Sequence, residues 1–260
     1  MSTKLKVGKI TNFVFDNLCD VLIFSVALLG SSFGKSRTSK GMDQAFEEAH
    51  EILEQYNHDT VRKAWKKLTN KGFIRQSGKK EVGGCFITNE GKRRLEETLP
   101  KYLDKRYWER KIYLITYDIP EKFKRKRDLL RETIKKLGGG LLLESVWVCP
   151  YNIRKEIDNL VLENDIPGMI IFSNTGKDGA VGDKPLKEMI LEIYKLEEIN
   201  RRYEEFIRII KDKKISKTMT AILYLSILKD DPQLPFELLP DWFLGKEANE
   251  KYKEIEAKTD

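Results

Sequence analysis

The clearest repeating pattern in this chain is an apolar stripe at helical spacing in its first third. Four apolar residues stand at positions i, i+3, i+4 and i+7, namely Val61, Ala64, Trp65 and Leu68. Residues at this spacing share one face of an α-helix. Asn57 or Asp59 supplies a capping side chain, and Gly72 is a residue type that commonly follows the end of a helix. The pattern therefore predicts a helix over His58–Asn70.

The segments on either side of this helix complete the prediction of an N-terminal domain. Before it, the pattern predicts a core helix, a loop and a second helix: Phe13–Leu29, Gly30–Gly41 and Asp43–Tyr56. After it come two short extended runs around a turn, and then another helix: Phe73–Gln76, Gly84–Thr88 and Asn89–Leu99. This order of elements predicts a winged helix-turn-helix domain over residues 1–100.

In the middle of the chain, strand patterns alternate with helix patterns. The predicted order is strand, helix, strand, helix, strand: Lys111–Ile119, Glu121–Leu137, Leu141–Cys149, Asn152–Asn164 and Met169–Ser173. Gly138–Gly140 acts as a helix stop between the first helix and the second strand. A β-α-β-β-α-β domain of the ferredoxin type needs one more strand. We place it either within Leu141–Cys149, split as a hairpin, or at Ala180–Val181.

The last third of the chain reads as mostly helical. We predict one long helix over Pro185–Lys211, an apolar helix over Thr218–Leu228 and a polar terminal helix over Lys246–Ala257. Asp231–Gly245 contains three prolines and cannot be one continuous helix. The expected fold class is therefore α+β. It comprises a winged helix-turn-helix domain over 1–100, a ferredoxin-like domain over 101–183 and a helical C-terminal domain over 184–260.

Composition narrows the function classes. The most apolar stretch, Leu18–Gly30, is too short to cross a bilayer, and the three scattered cysteines suit a reducing compartment, so we expect a cytoplasmic protein without a membrane partner. Three cysteines without a CxxC pair and two histidines do not make a zinc site. The sequence also has no P-loop, no dinucleotide fingerprint and no serine elbow. We therefore expect no cofactor and no enzymatic activity.

Charge is distributed unevenly and indicates a nucleic-acid partner. The net charge is only +7, but His58–Lys80 carries eight Lys or Arg against one Asp. A helix with an apolar stripe and a basic face can lie in the major groove of double-stranded DNA while a hairpin contacts flanking phosphates. The predicted DNA-binding residues are His58, Thr60, Arg62, Lys63, Lys66, Lys67, Arg75, Lys79 and Lys80. The alternative is a solvated charged face.

Three segments resemble the PaaX-type repressor family. TVRKAWKKLTNKGFI (Thr60–Ile74) with GGCFITNEGKRRL (Gly83–Leu95) is similar to the family's winged helix, and the stretch Lys111–Pro150 is similar to its central domain. DPQLPFELLPDWFLGKEA (Asp231–Ala248) is similar to its C-terminal signature. The resemblance implies a homodimer that represses a promoter and is released by a small-molecule effector such as an acyl-CoA. It also implies a winged helix, a ferredoxin-like domain and a helical C-terminal domain.

The central segment also resembles the small CRISPR adaptation proteins, which leaves two interpretations of Asp118. The pair Tyr117-Asp118 and the run Glu144–Trp147 match two strands of those proteins. If Asp118 binds a divalent metal, the protein is a metal-dependent nuclease or an adaptation-like scaffold. If Asp118 is structural, it caps the helix that follows or pairs with Arg125 or Arg127. We favour the structural interpretation, because magnesium usually takes one or two carboxylates together with substrate phosphates.

The basic helix Glu121–Leu137 keeps three interpretations open. It carries eight Lys or Arg residues. These could contact DNA phosphates, hold the phosphates of an acyl-CoA, or form a solvated helix face.

Overall fold

A computed structural model describes residue 23 and residues 58–76, 85–176, 185–211, 215 and 217–257. Within these ranges the α-helices are α1 His58–Asn70, α2 Asn89–Thr98, α3 Lys124–Lys136, α4 Arg154–Asn164, α5 Leu186–Ile193, α6 Leu196–Lys211, α7 Lys217–Asp230 and α8 Gly245–Ala257. The strands are β1 Ile74–Gln76, β2 Cys85–Ile87, β3 Lys111–Asp118, β4 Gly140–Leu143, β5 Val146–Cys149 and β6 Met169–Gly176. Short 3-10 turns lie at Glu121–Phe123 and Phe236–Leu238.

Several predictions lie outside the described residues. These are the loop Gly30–Gly41, the acidic helix Asp43–Tyr56, the hairpin tip with Lys79 and Lys80, and the strand at Ala180–Val181. Of the predicted helix Phe13–Leu29, the structure describes Ile23 alone, which is helical and fully buried.

The chain divides into two compact units. One comprises Met1–Lys101 with Tyr203–Asp230 and Lys246–Asp260, and the other comprises Tyr102–Arg202 with Asp231–Gly245. The residues predicted as a separate C-terminal domain, 184–260, are thus shared between the two units.

In the first unit, α1 ends where the sequence predicted, and the backbone geometry explains why. Gly72 has φ +71°, a left-handed conformation that glycine adopts without a steric penalty. Its amide donates to the carbonyl of Thr69, and the amide of Phe73 donates to that of Leu68, both at 3.0 Å. These two bonds form a Schellman motif, which satisfies carbonyls at the end of the helix. The chain then enters β1, which pairs antiparallel with β2.

In the second unit, the four strands form one antiparallel sheet in the order β4-β5-β3-β6. With α3 after the first strand and α4 after the third, this is the β-α-β-β-α-β arrangement, so the predicted ferredoxin-like fold is confirmed. The fourth strand comes from the splitting of Leu141–Cys149 into a hairpin that turns at residues 144–145. Alternate residues of β3, including Ile115 at 0% exposure, pack on α3 and α4.

The second face of the sheet is covered in part by α5 and the C-terminal segment. Ile112 and Val148 lie on this face and pack with Ile190, Leu234 and Leu238. The elements that cover this face are therefore the helix α5 and the 3-10 turn Phe236–Leu238 with the irregular backbone around it. This packing places α5, the first part of the predicted segment Pro185–Lys211, against the sheet.

The prediction of one continuous helix over Pro185–Lys211 is wrong. The segment forms α5 and α6, separated by Tyr194 and Lys195, and Lys195 has φ +51°. The buried hydroxyl of Tyr194 donates to the carbonyls of Val148 at 2.8 Å and Gly138 at 2.9 Å. A Cβ on Gly140 would lie 2.9 Å from two ring carbons of Tyr194. The break therefore lets the Tyr194 ring pack against the backbone of β4 and β5.

The proline-rich segment Asp231–Gly245 is held to the residues before β3. The buried guanidinium of Arg106 donates to the carbonyls of Leu103 at 3.1 Å and Leu234 at 3.0 Å. The ring of Phe236 lies 4.6 Å from the Arg106 Cζ atom. The amide of Leu103 donates to the side-chain oxygen of Gln233 at 2.6 Å. This segment is thus an ordered strap rather than a loose linker.

Candidate nucleic-acid interface

The described part of the predicted DNA surface is centred on one face of α1. Leu68 is 1% exposed, and Val61, Ala64 and Trp65 are half-buried, so the apolar stripe faces the protein. Four basic residues on the remaining surface are exposed: Arg62, Lys63, Lys66 and Lys67. The binary pattern read from the sequence therefore corresponds to the burial found in the structure. The structure presents the four cations together on one helix.

Thr60 and Arg62 are exposed near the N-terminal end of α1, and the ion pair that Arg62 forms there is weak. Arg62 lies 3.6 Å from the carboxylate of Asp59, and the two side chains are 77% and 70% exposed. Exposed pairs of this kind contribute little stability. The Arg62 guanidinium can therefore exchange this partner for a phosphate or a base edge at small cost. His58 is the first residue of the helix.

One side chain fastens α1 to the elements that follow it. The hydroxyl of Thr88 donates to the carbonyl of Gly72 at 2.6 Å, just beyond the end of α1. The same oxygen accepts from the amide of Gly91 at 3.1 Å and caps α2. A Cβ on Gly91 would collide with the carbonyl oxygen of Phe73, so only glycine permits this close approach. The exposed face of α1 is thereby held in a fixed orientation to the hairpin and α2.

The hairpin contributes Arg75, which lies on β1 rather than on α1. Arg75 is exposed on β1 opposite Phe86. Its charge, together with that of Arg93, helps to lower the pKa of Glu90, although the main cause is hydrogen bonding to the backbone amide of Glu90, followed by the Thr88 hydroxyl. Arg75 therefore lies near a carboxylate. Lys79 and Lys80 lie in the undescribed hairpin tip, and their predicted role remains a prediction.

Three further exposed cations were not included in the sequence-based site. Lys71 follows α1 directly, and Lys92 and Arg93 lie on α2. Arg93 lies 3.6 Å from Glu90 in an exposed pair. The position of Lys71 immediately after the basic helix was the available signal for including it. For Lys92 and Arg93 the signal was the predicted helix Asn89–Leu99, which lies in the same predicted domain as the basic helix.

The basic helix α3 is partly committed to internal contacts. Lys126 donates to the carbonyl of Asp165 at 2.6 Å, and Arg131 donates to that of Glu144 at 3.0 Å. Arg127 binds both carboxylate oxygens of Glu121, at 2.7 and 3.1 Å. The other five cations of Glu121–Leu137 are exposed, namely Lys122, Lys124, Arg125, Lys135 and Lys136, and Glu132 is exposed among them. Three of the eight cations therefore have structural partners, which favours the solvated-face interpretation of this helix over a phosphate-binding one.

Asp118 ends β3 and is exposed. The helical caps that follow it are Pro120 and Phe123, and neither involves a side-chain hydrogen bond. Arg127 binds Glu121 instead. The predicted cap or arginine pair of Asp118 is therefore wrong, and its carboxylate has no hydrogen-bond or ion-pair partner within the described ranges. Among those same residues, no three metal-ligating side chains come together.

None of the helices in the described ranges is both long enough and apolar enough to cross a membrane.

Comparison with known families places the central domain. Residues 105–186 match the family described as the PaaX protein central Cas2-like domain. This match confirms the resemblance of Lys111–Pro150 to the central domain of the PaaX-type family. No curated protein matches the sequence.

A solved structure is similar over most of the chain. It is described as uncharacterized protein Rv0674 from Mycobacterium tuberculosis and has a TM-score of 0.55 with 14% sequence identity. The match covers 89% of this chain and 93% of the other. At this level of identity the likeness concerns the fold alone.

Proposed function

We propose that this protein is a cytoplasmic DNA-binding transcriptional regulator that represses a promoter as a homodimer. The observation that carries the proposal is the exposed cationic face of α1, with Arg62, Lys63, Lys66 and Lys67 opposite a buried Leu68. Cations gathered on one helix face neutralise several phosphates at once, which is the main source of affinity for DNA. A helix held rigidly beside a hairpin is the arrangement with which winged helices enter the major groove.

The family of the central domain supports a regulatory function. Residues 105–186 match the PaaX central domain, and PaaX-type proteins are regulators rather than enzymes. The resemblance extends this to release by a small molecule, for which an acyl-CoA is the class we propose. A homodimer places two α1 helices about a two-fold axis, and such a dimer prefers a palindromic site with half-sites about one helical turn, or a multiple, apart.

The first experiment identifies the DNA. The purified full-length protein is incubated with fragmented genomic DNA, with and without magnesium, and the retained fragments are sequenced. The proposal expects enrichment of a small number of palindromic sites, equally with and without magnesium. Retention without any sequence preference would contradict a regulator that reads an operator.

The second experiment assigns the surface. The triple variant Arg62→Ala, Lys63→Ala, Lys66→Ala removes three exposed cations from α1 and should weaken binding to the enriched site at least about tenfold. A matched control, Lys124→Ala, Arg125→Ala, Lys136→Ala, removes three exposed cations from α3 and should change affinity by no more than about threefold. Equal losses in both variants would show that net charge, rather than the α1 face, determines binding.

A further inference from the structure

The cationic face of α1 begins with an acidic residue. The side chains at positions i, i+3, i+4 and i+7 of this helix, counted from its second residue, are Asp59, Arg62, Lys63 and Lys66. This spacing places them on one face of an α-helix, and all four are exposed. Asp59 is the only acidic residue in the sequence from position 58 to position 76. The surface proposed to meet DNA therefore includes one carboxylate within its row of cations.

The position of Asp59 along α1 brings its carboxylate to the end of the helix that reads bases. Asp59 lies in the first turn, and the N-terminal residues of a recognition helix contact base edges in the major groove. A carboxylate repels phosphate groups, but it accepts hydrogen bonds from the N4 amino group of cytosine, which is a donor on the groove edge. An acid at this position is thus suited to a base contact and unsuited to a phosphate contact.

Asp59 is paired with a residue one turn further along the same face. The Arg62 guanidinium lies 3.6 Å from the Asp59 carboxylate, and the two side chains are 77% and 70% exposed. Together they present hydrogen-bond donors beside an acceptor. A G·C base pair presents the complementary groups in the major groove, because the O6 and N7 acceptors of guanine lie beside the N4 donor of cytosine. Lys63 and Lys66 are donors only and do not match this pattern.

Stabilisation of the helix does not account for the face on which Asp59 lies. An acidic side chain in the first turn interacts favourably with the helix dipole, and this effect depends on distance from the helix end rather than on the face. Thr60 is exposed in the same turn but lies outside the spacing of the cationic face, so an acid at that position would serve the dipole equally well. The placement of the acid within the cationic row therefore has another reason, and a base contact supplies it.

We propose that Asp59 determines sequence specificity, because its carboxylate accepts a hydrogen bond from the N4 amino group of a cytosine in the major groove. Arg62 binds the O6 and N7 atoms of a guanine in the same or the adjacent base pair. This inference rests on the proposed DNA-binding function of α1 and names one base that the helix reads. Each half-site then contains a cytosine whose replacement by another base lowers the affinity.

Selection from a library of randomised duplex DNA tests the role of Asp59 with full-length protein. The wild type should prefer cytosine at one position of each half-site by at least about fivefold. Asp59→Asn keeps the size of the side chain, removes its charge and should lose this preference. Glu90→Gln is the matched control, because Glu90 also lies in the first turn of its helix, α2, and 3.6 Å from an arginine three residues later, Arg93. This control should keep every base preference of the wild type, and circular dichroism checks that both variants are folded.

A chemical change in the DNA tests the same contact with the wild-type protein. N4-methylcytosine at the preferred position keeps the base pair with guanine, but a methyl group replaces the N–H that faces the major groove. This substitution should weaken binding of the wild type at least about fivefold. It should leave the affinity of Asp59→Asn unchanged, because that variant no longer uses the amino group.

The results distinguish this inference from the function on which it rests. An Asp59→Asn variant that selects the wild-type sequence would overturn the role of Asp59, as would a wild-type affinity that N4-methylcytosine does not change. A variant that binds all sequences more tightly with unchanged preferences would show that the carboxylate only repels DNA, which also overturns it. In each of these cases the DNA-binding function stands if the α1 triple variant loses affinity. If the wild type selects no sequence at all, both proposals fall.

Discussion

The hydroxyl of Thr88 donates a 2.6 Å hydrogen bond to the carbonyl oxygen of Gly72. Gly72 lies two residues beyond Asn70, the last residue of α1, and Thr88 caps α2. A single side chain therefore joins the end of the cationic helix to the helix that closes the hairpin. The orientation of the α1 face depends on this contact as much as on the apolar stripe beneath it.

Thr88→Ala removes both the cap of α2 and the donor to Gly72. We expect the free energy of unfolding to fall by about 1–2 kcal/mol, the scale of a lost helix cap. Urea denaturation followed by circular dichroism measures the change. Thr69→Ala is the matched control, because the exposed Thr69 hydroxyl bonds only to Trp65 within its own helix, and it should stay within about 0.5 kcal/mol of the wild type. Equal effects in both variants would show that Thr88 has no special role.

Tyr194→Phe tests the break between α5 and α6. The buried hydroxyl supplies a hydrogen bond to Val148 and to Gly138, so its removal leaves buried carbonyls without this donor. We expect a loss of about 1–2 kcal/mol of stability. Tyr107→Phe, at a side chain that is 82% exposed, should have no measurable effect. If Tyr194→Phe proved equally silent, the ring rather than the hydroxyl would hold the two helices apart.

Much of this fold follows from the sequence, and the differences have local causes. The period of Val61 to Leu68 predicted α1, because burial on one helix face depends only on spacing. The break between α5 and α6 could not be predicted, because the residue in the left-handed conformation is Lys195 and not a glycine, which would have indicated a helix end. The contacts that stabilise the break come from Val148 and Gly138, more than forty residues earlier in the chain.

Part of the candidate site could also be predicted from the sequence, and part could not. The exposed cations of α1 followed from its apolar stripe. The pairing of Arg127 with Glu121 rather than with Asp118 did not follow, because Glu121 lies in a 3-10 turn that the sequence does not mark. Long-range contacts and turn geometry thus limited what pattern alone could predict.

Cys149 should be protected from thiol reagents in the folded protein. Burial raises the pKa of this thiol to about 12, so at pH 7 to 8 almost none of it is the reactive thiolate. After a brief treatment with iodoacetamide, peptide mass spectrometry should find Cys149 unmodified without urea and modified in urea. Because the pKa is raised, increasing the pH to 9 should leave the thiol un-ionised and therefore unlabelled in the folded protein. Rapid labelling of the native protein at pH 7.5 would contradict the burial of this residue.

Asp118→Asn separates the regulator from the nuclease interpretation. Asp118 is exposed and has no partner in the described ranges, so the substitution should leave the urea midpoint and DNA affinity unchanged. We expect no cleavage of duplex or single-stranded DNA in magnesium or manganese by either protein. Robust cleavage by the wild type that disappears in Asp118→Asn would instead assign a metal to this carboxylate.

The salt dependence of DNA affinity tests the central claim most directly. If about six cations per protomer contact phosphates, the logarithm of the association constant should fall with the logarithm of salt concentration by about 0.9 per contact. The Arg62→Ala, Lys63→Ala, Lys66→Ala variant should reduce that slope by about 2.7 per protomer, whereas the Lys124→Ala, Arg125→Ala, Lys136→Ala control should keep the wild-type slope. A folded α1 variant with the wild-type slope and affinity would contradict the assignment of α1 as the DNA-binding helix.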